Sequence, residues 1–90
     1  MSIHERAAAT NRMRRALLAF QAAKAAFLIV RRRLQAPPEA ERDQLKATLR
    51  LTATEIDAAL QDFSAAGLVA NAEDQRCITE AQRYLAESKT

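Results

Sequence analysis

The sequence predicts a mainly α-helical domain with one short β-hairpin near its C-terminus. Only one Gly and two Pro interrupt the 90 residues, so few positions break a helix. Apolar residues recur at spacings of three and four through most of the chain, which is the period of an amphipathic helix. After the single Gly, two short β-prone runs flank an acidic turn, as in a hairpin. Ninety residues have room for one core.

The first predicted element is a helix from about residue 10 to residue 35, rich in the strong helix formers Ala, Arg, Leu and Lys. One stripe along it contains Leu17, Phe20, Lys24, Phe27, Arg31 and Leu34. Further apolar residues widen this surface beyond what one small domain can cover, so we expect the helix to form a dimer. The residues expected at the dimer interface are Leu17, Phe20, Phe27 and Leu28. Residues 1–35 form this basic and apolar helix, and residues 36–90 the rest of the domain.

The next elements are predicted from capping signals. Pro37 and Pro38 end the first helix and begin the second. Thr52-Ala-Thr-Glu55 has the form of a capping box, which predicts that a third helix begins there. Gly67 stands where a left-handed residue ends that helix. The expected core comprises Leu45, Leu49, Ile56, Leu60, Phe63 and Leu68.

The predicted hairpin follows Gly67. Residues 68–72 and 76–78 are expected to form its two strands, with residues 73–75 as the turn. Thr79-Glu-Ala-Gln82 has the form of a second capping box, from which a last helix would run to about Glu87.

This order of elements resembles the winged helix-turn-helix regulators of the MarR and ArsR kind. The resemblance rests on L34…L45xxxL49xL51T52xxxI56xxxL60xxF63xxxG67L68V69 and on R76CITEAQRYL85. It implies a long N-terminal helix, a recognition helix and a two-stranded β-hairpin wing. It departs from the family at Arg50, where many members have Gly. The alternative fold is a plain three-helix bundle, or a helical hairpin with a disordered tail.

The resemblance implies a small bacterial DNA-binding transcriptional regulator that acts as a dimer on double-stranded DNA. The recognition helix would present Thr54, Asp57 and Gln61, and the wing Arg76. The alternative function is a winged-helix adaptor or inhibitor, such as one encoded by a phage, that binds a protein partner through an acidic recognition face without binding DNA.

Charge is divided unevenly along the chain, which bears on both functions. Residues 1–34 carry a net charge of +7 and residues 35–90 a net charge of −4. No Lys or Arg occurs between residues 51 and 75, although affinity for DNA depends on cations near phosphates. The expected cationic contacts with DNA or a partner are Arg12, Arg14, Arg15, Arg31, Arg32 and Arg33.

No pattern of catalytic, cofactor-binding or metal-ligating residues is present. A lone Cys77 cannot form an intramolecular disulfide and is expected to fill a small space on a wing strand. His4 is expected to be at a frayed terminus without a ligand role. The N-terminus lacks the apolar stretch of a signal peptide, and residues 16–30 are too few to span a membrane. We therefore expect a cytoplasmic protein that is not an enzyme.

Overall fold

The computed structural model describes residues 3–32 and 38–88, which form three α-helices. Helix α1 spans Ile3–Arg31, α2 spans Glu39–Ala65 and α3 spans Ala72–Ser88. Helices α1 and α2 are antiparallel, because Arg12 near the start of α1 contacts Asp62 near the end of α2. Helix α3 packs on one side of this hairpin. The described residues extend over 51 × 24 × 22 Å.

The predicted winged helix-turn-helix is wrong, because the described residues contain no strand. The segment expected to form a hairpin is instead the connection after α2 and the first turns of α3. Asn71 caps α3: its Oδ1 accepts a hydrogen bond from the Asp74 backbone N–H at 2.8 Å. Glu73 and Asp74 lie in the first turn, where the helix dipole stabilises carboxylates. Helix α3 therefore begins seven residues before Thr79.

The prediction that helices begin at the two capping boxes, at Thr52 and Thr79, is also wrong. Thr52 lies inside α2, and its hydroxyl donates to the Thr48 and Leu49 carbonyls at 2.9 and 3.0 Å. Thr79 lies inside α3 and accepts a hydrogen bond from the Gln75 side chain. Neither Gly nor Pro occurs between residues 39 and 66, so nothing stops α2 before Thr52. Arg50 is helical, and among the described residues only Gly67 has a positive φ.

The prediction that Gly67 ends a helix is confirmed. Its φ is +75°, and its N–H donates to the Ser64 carbonyl at 2.9 Å. The Leu68 N–H donates to the Phe63 carbonyl at 3.1 Å. These two bonds form a Schellman motif that satisfies the carbonyls at the end of α2.

Replacing Gly67 with Ala is expected to lower the free energy of unfolding by ~1 kcal/mol, because a Cβ disfavours the left-handed conformation. Nothing lies within 4 Å of the added Cβ, so no steric clash contributes. Gly67→Asn is the control, because Asn adopts this conformation more readily. Urea denaturation followed by circular dichroism measures both. Equal losses in the two variants would contradict the assignment of the effect to φ.

The core lies where the three helices meet. Phe20, Ile56 and Ile78, one from each helix, are its largest fully buried side chains. The remaining buried positions are mostly Ala, which buries little area and lets the helices approach closely. Of the predicted core residues, Leu49 and Ile56 are buried, while Leu45, Leu60, Phe63 and Leu68 are half-buried.

Candidate functional site

One side of α1 faces solvent along most of its length and carries exposed apolar side chains. We call it the outward face. Its members recur at spacings of three and four, so they share one side of the helix. They are Asn11, Arg14, Arg15, Leu18, Ala22, Ala25, Ile29 and Arg32, all exposed. Leu18 and Ile29 are 59% and 61% exposed, so no part of the described chain covers the apolar centre.

Arginines stand at both ends of the outward face. Arg14 and Arg15 precede Leu18, and Arg32 follows Ile29. Arg31 is also exposed, but it lies on the side of α1 that contains Phe20 and Phe27, away from the outward face. At ~1.5 Å per residue, Arg32 lies about 25 Å from the first pair along the helix axis. Within the described residues, no carboxylate pairs with any of these four guanidinium groups. The sequence also predicts a contact at Arg33, which lies outside the described residues.

Arg12 differs from its neighbours because its charge is balanced within the chain. Its Nε donates to Glu55 Oε1 at 2.9 Å, and its Nη1 donates to Asp62 Oδ2. The hydrogen bond to Glu55, followed by the one to Asp62, raises the pKa of Arg12 above its ordinary value. Arg12 therefore joins α1 to α2, whereas the sequence alone groups it with Arg14 and Arg15.

The cation in the middle of α1 is also balanced. Lys24 Nζ lies 2.6 Å from Glu80 Oε1 on α3 and 6.0 Å from the Phe20 ring centroid. Lys24 is the only Lys or Arg between Arg15 and Arg31. The centre of the outward face therefore consists of apolar groups, and its unbalanced charges lie at the two ends.

The residues predicted to read DNA are not arranged as a recognition site. Thr54 and Gln61 are exposed on α2 and Asp57 is half-buried there, but these residues belong to one long helix and not to the second helix of a helix-turn-helix. The Thr54 hydroxyl donates to the Arg50 carbonyl at 2.8 Å. Arg76 is exposed on α3 and not on a wing.

The residues predicted to form a dimer interface have two different environments. Leu17 and Phe20 are 5% and 1% exposed, so they pack within the chain and are not accessible to a second copy. Phe27 is half-buried against the same core. Leu28 is exposed.

The sequence analysis missed the separate period of the outward face. Leu18, Ala22, Ala25 and Ile29 follow spacings of four, three and four, distinct from the core stripe that contains Met13, Leu17 and Phe20. The sequence signal that could have revealed the outward face is this second apolar stripe, which has helical spacing and lies on the same helix as the core stripe. The carboxylates that balance Arg12 and Lys24 come from α2 and α3, and no local pattern in α1 indicates them.

No group of three or more His, Cys, Asp or Glu among the described residues could hold a metal ion. None of the three helices is both long and apolar enough to cross a membrane.

No family model, curated protein or solved structure matches this chain.

Cys77 is buried on α3 and not on a strand. Burial raises the pKa of its thiol, and a hydrogen bond with the Gln21 side chain opposes this shift. Since the thiolate is the reactive form, the native thiol should react with iodoacetamide at pH 8 at least ~10-fold more slowly than the unfolded thiol. Quenched alkylation read by mass spectrometry, with and without guanidinium chloride, measures the ratio. Equal rates would show that Cys77 is accessible.

Proposed function

We propose that this chain is a protein-interaction module that binds an acidic amphipathic helix of a partner protein along the outward face of α1. The observation that carries the proposal is the apolar centre at Leu18 and Ile29, with unbalanced Arg14 and Arg15 at one end and unbalanced Arg32 at the other. Protein interfaces commonly have an apolar centre that excludes water and a polar, charged rim. The proposal places the module in the cytoplasm, because a single Cys cannot form an intramolecular disulfide.

The spacing of the arginines defines the partner. A helix lying along α1 needs carboxylates at both ends, about 25 Å or roughly 17 residues apart, and apolar side chains between them. Arg binds carboxylates through two parallel N–H···O hydrogen bonds, which favours Asp and Glu at these ends. Apolar partner residues would cover Leu18 and Ile29.

A second candidate function, binding of double-stranded DNA, is favoured by the same four exposed arginines. Phosphates repeat along a duplex without an apolar gap, and a DNA-binding surface normally supplies cations over its whole length. The outward face has no unbalanced cation between Arg15 and Arg31. The exposed side of α2 also has none from residue 51 to its end. The layout of charge therefore favours a protein partner over DNA.

Fluorescence anisotropy with two labelled probes tests the proposal. One probe is a 21-residue helical peptide with two Glu at each end and a Leu/Ala stripe between them. The other is a random 20-base-pair duplex. We expect the peptide to bind and the duplex to stay near background at 50 mM salt. Leu18→Asp should weaken peptide binding at least ~10-fold, a loss of about 1.4 kcal/mol.

Val69→Asp is the matched control, because Val69 is 90% exposed and lies outside the outward face, in the connection between α2 and α3. It should leave peptide affinity unchanged. A peptide with Lys in place of Glu should not bind. Absence of binding by the acidic peptide at 100 μM would overturn the proposal. Tight duplex binding, with a salt dependence that weakens by up to ~2 log–log units when Arg31 and Arg32 are replaced, would establish the DNA function.

A further inference from the structure

A second uncovered surface runs along the seam between α1 and α2, on the side away from α3. Two adjoining hollows of about 460 and 470 Å³ form it. Both are lined by Arg12 and Arg15, so they are parts of one groove, and neither is lined by a residue of α3. We call it the seam groove. It adjoins the outward face at Arg15, which borders both surfaces, whereas Leu18 and Ile29 of the outward face do not line it.

The lining of the seam groove is small and apolar apart from its ionic groups. Ala8, Ala16, Ala19 and Ala65 line it, so a further helix could approach α1 and α2 closely. Leu51 stands at its edge and is 72% exposed. No described side chain covers this leucine.

We infer that a second copy of this chain occupies the seam groove, so that the two hairpins form a four-helix bundle with each α3 on the outside. The charge pattern of the hairpin supports this occupant. The basic start of α1 is level with the acidic end of α2, as the Arg12–Glu55 and Arg12–Asp62 pairs show. Since the helices are antiparallel, the basic end of α1 is level with the acidic start of α2.

Charge also selects how the second copy is oriented. A twofold axis parallel to the helices stacks each α1 on the α2 of the other copy, so Arg15 comes level with Glu55 of that copy. A twofold axis across the helices, at the middle of the seam groove near Arg12, stacks α1 on α1 in antiparallel fashion, which brings Arg12 towards Arg12 of the other copy and Glu55 towards Asp62 of that copy. Like charges at this distance repel. The first arrangement is therefore the one that the chain favours.

The other charged residues of α2 do not oppose this arrangement. Lys46 and Arg50 share the side of α2 that contains Ala53, which is fully buried, so these cations point away from the seam groove. The Tyr84 hydroxyl on α3 donates to the Lys46 carbonyl at 3.2 Å, which places this part of α2 next to α3. The groove side of α2 near Leu51 thus lacks a basic group.

The size of the surface suits a stable dimer. Helices α1 and α2 contain 29 and 27 residues, which corresponds to about 40 Å of length. Two adjacent helices are roughly 20 Å wide, so a face-to-face contact that continues from the groove along the whole of both helices would cover up to about 800 Å² per copy, the usual size of a stable interface. The contact is isologous and closed, as in most homodimers. It leaves Leu18 and Ile29 of each copy exposed, so the dimer would present two apolar centres, with Arg15 at the border of the dimer contact.

Sedimentation equilibrium of the full chain tests the inference. We expect a mass twice the 10.0 kDa of one chain at 50 μM. Leu51→Asp and Ala19→Glu should each weaken the dimer at least ~10-fold by placing a charge in a closely packed contact. Leu18→Asp, on the outward face, should leave the dimer intact. A monomer at 50 μM in the unaltered chain would overturn the inference, whereas the proposed binding of an acidic helix would be unaffected.

Cross-linking distinguishes the two orientations. An Ala19→Cys chain and a mass-labelled Leu51→Cys chain, each also carrying Cys77→Ala, are mixed and oxidised. With α1 stacked on α2 of the other copy, residue 19 is level with residue 51, so we expect the mixed disulfide to predominate. Predominance of disulfides between two Leu51→Cys chains would indicate α2 stacked on α2 and would overturn the orientation.

Discussion

Replacing Phe20 with Ala is expected to lower the free energy of unfolding by ~3–5 kcal/mol, because it removes a large buried side chain and leaves a cavity. Phe20 is 1% exposed and packs in the cluster that contains Ile56 and Ile78. Small domains commonly unfold with a free energy of ~5–15 kcal/mol, so the variant should be largely or wholly unfolded at 37 °C. Urea denaturation followed at 222 nm measures the loss.

Leu18→Ala is the matched control, since Leu18 lies two residues away on the same helix and is exposed. Its free energy of unfolding should change by no more than about 0.5 kcal/mol. If Phe20 were an interface residue, as the sequence predicts, its replacement would change self-association and leave the monomer stable. An unchanged urea midpoint for Phe20→Ala would contradict the three-helix core.

Replacing Arg76 with Pro is expected to destabilise the protein by ~3 kcal/mol or more, because Pro removes a helical N–H and clashes with the carbonyl four residues earlier. Arg76 is exposed, so the loss of its side chain contributes little. The same denaturation measurement applies, and the helical signal at 222 nm should fall as α3 is disrupted.

Ala72→Pro is the control for this prediction. Ala72 is the first residue of α3, a position at which Pro is well tolerated. Its urea midpoint should stay close to that of the unaltered chain. Equal midpoints for Arg76→Pro and Ala72→Pro would show that residue 76 is not inside a helix.

Several elements could be predicted from local sequence because their causes are local. The long α1 follows from an uninterrupted run of helix formers, and the end of α2 follows from Gly67, whose positive φ few other residues adopt. Leu49 and Ile56 were correctly placed in the core because their spacing repeats with the helix. These predictions needed no knowledge of the neighbouring elements.

The capping box at Thr52 and the hairpin failed for a common reason. A Thr followed three residues later by Glu has the same spacing at a helix start and inside a helix, and only an interruption upstream distinguishes them. The β-prone runs at Leu68-Val69 and Cys77-Ile78 suggested strands. However, Asn71 followed three residues later by Asp74 is the better signal, because Asn71 caps a helix that begins before Cys77-Ile78 and includes both of these residues.

The candidate site could be predicted in part. The arginine clusters were evident as charge, and four of the six arginines are exposed without a described carboxylate partner. Arg12 is not one of these four, because its guanidinium group pairs with Glu55 and Asp62, which lie more than forty positions away in the sequence. The exposure of Leu18 beside the buried Leu17 depends on which side of α1 receives α2 and α3. These facts follow from tertiary packing.

Backbone ¹³Cα chemical shifts of residues 66–88 test the central structural claim most directly, since the winged fold and the three-helix fold differ there. The three-helix fold predicts helical shifts without a break from residue 72 to residue 88, preceded by a non-helical connection with Gly67 in the left-handed region. Extended shifts at residues 68–72 and 76–78, with cross-strand contacts between them, would contradict it and restore the hairpin.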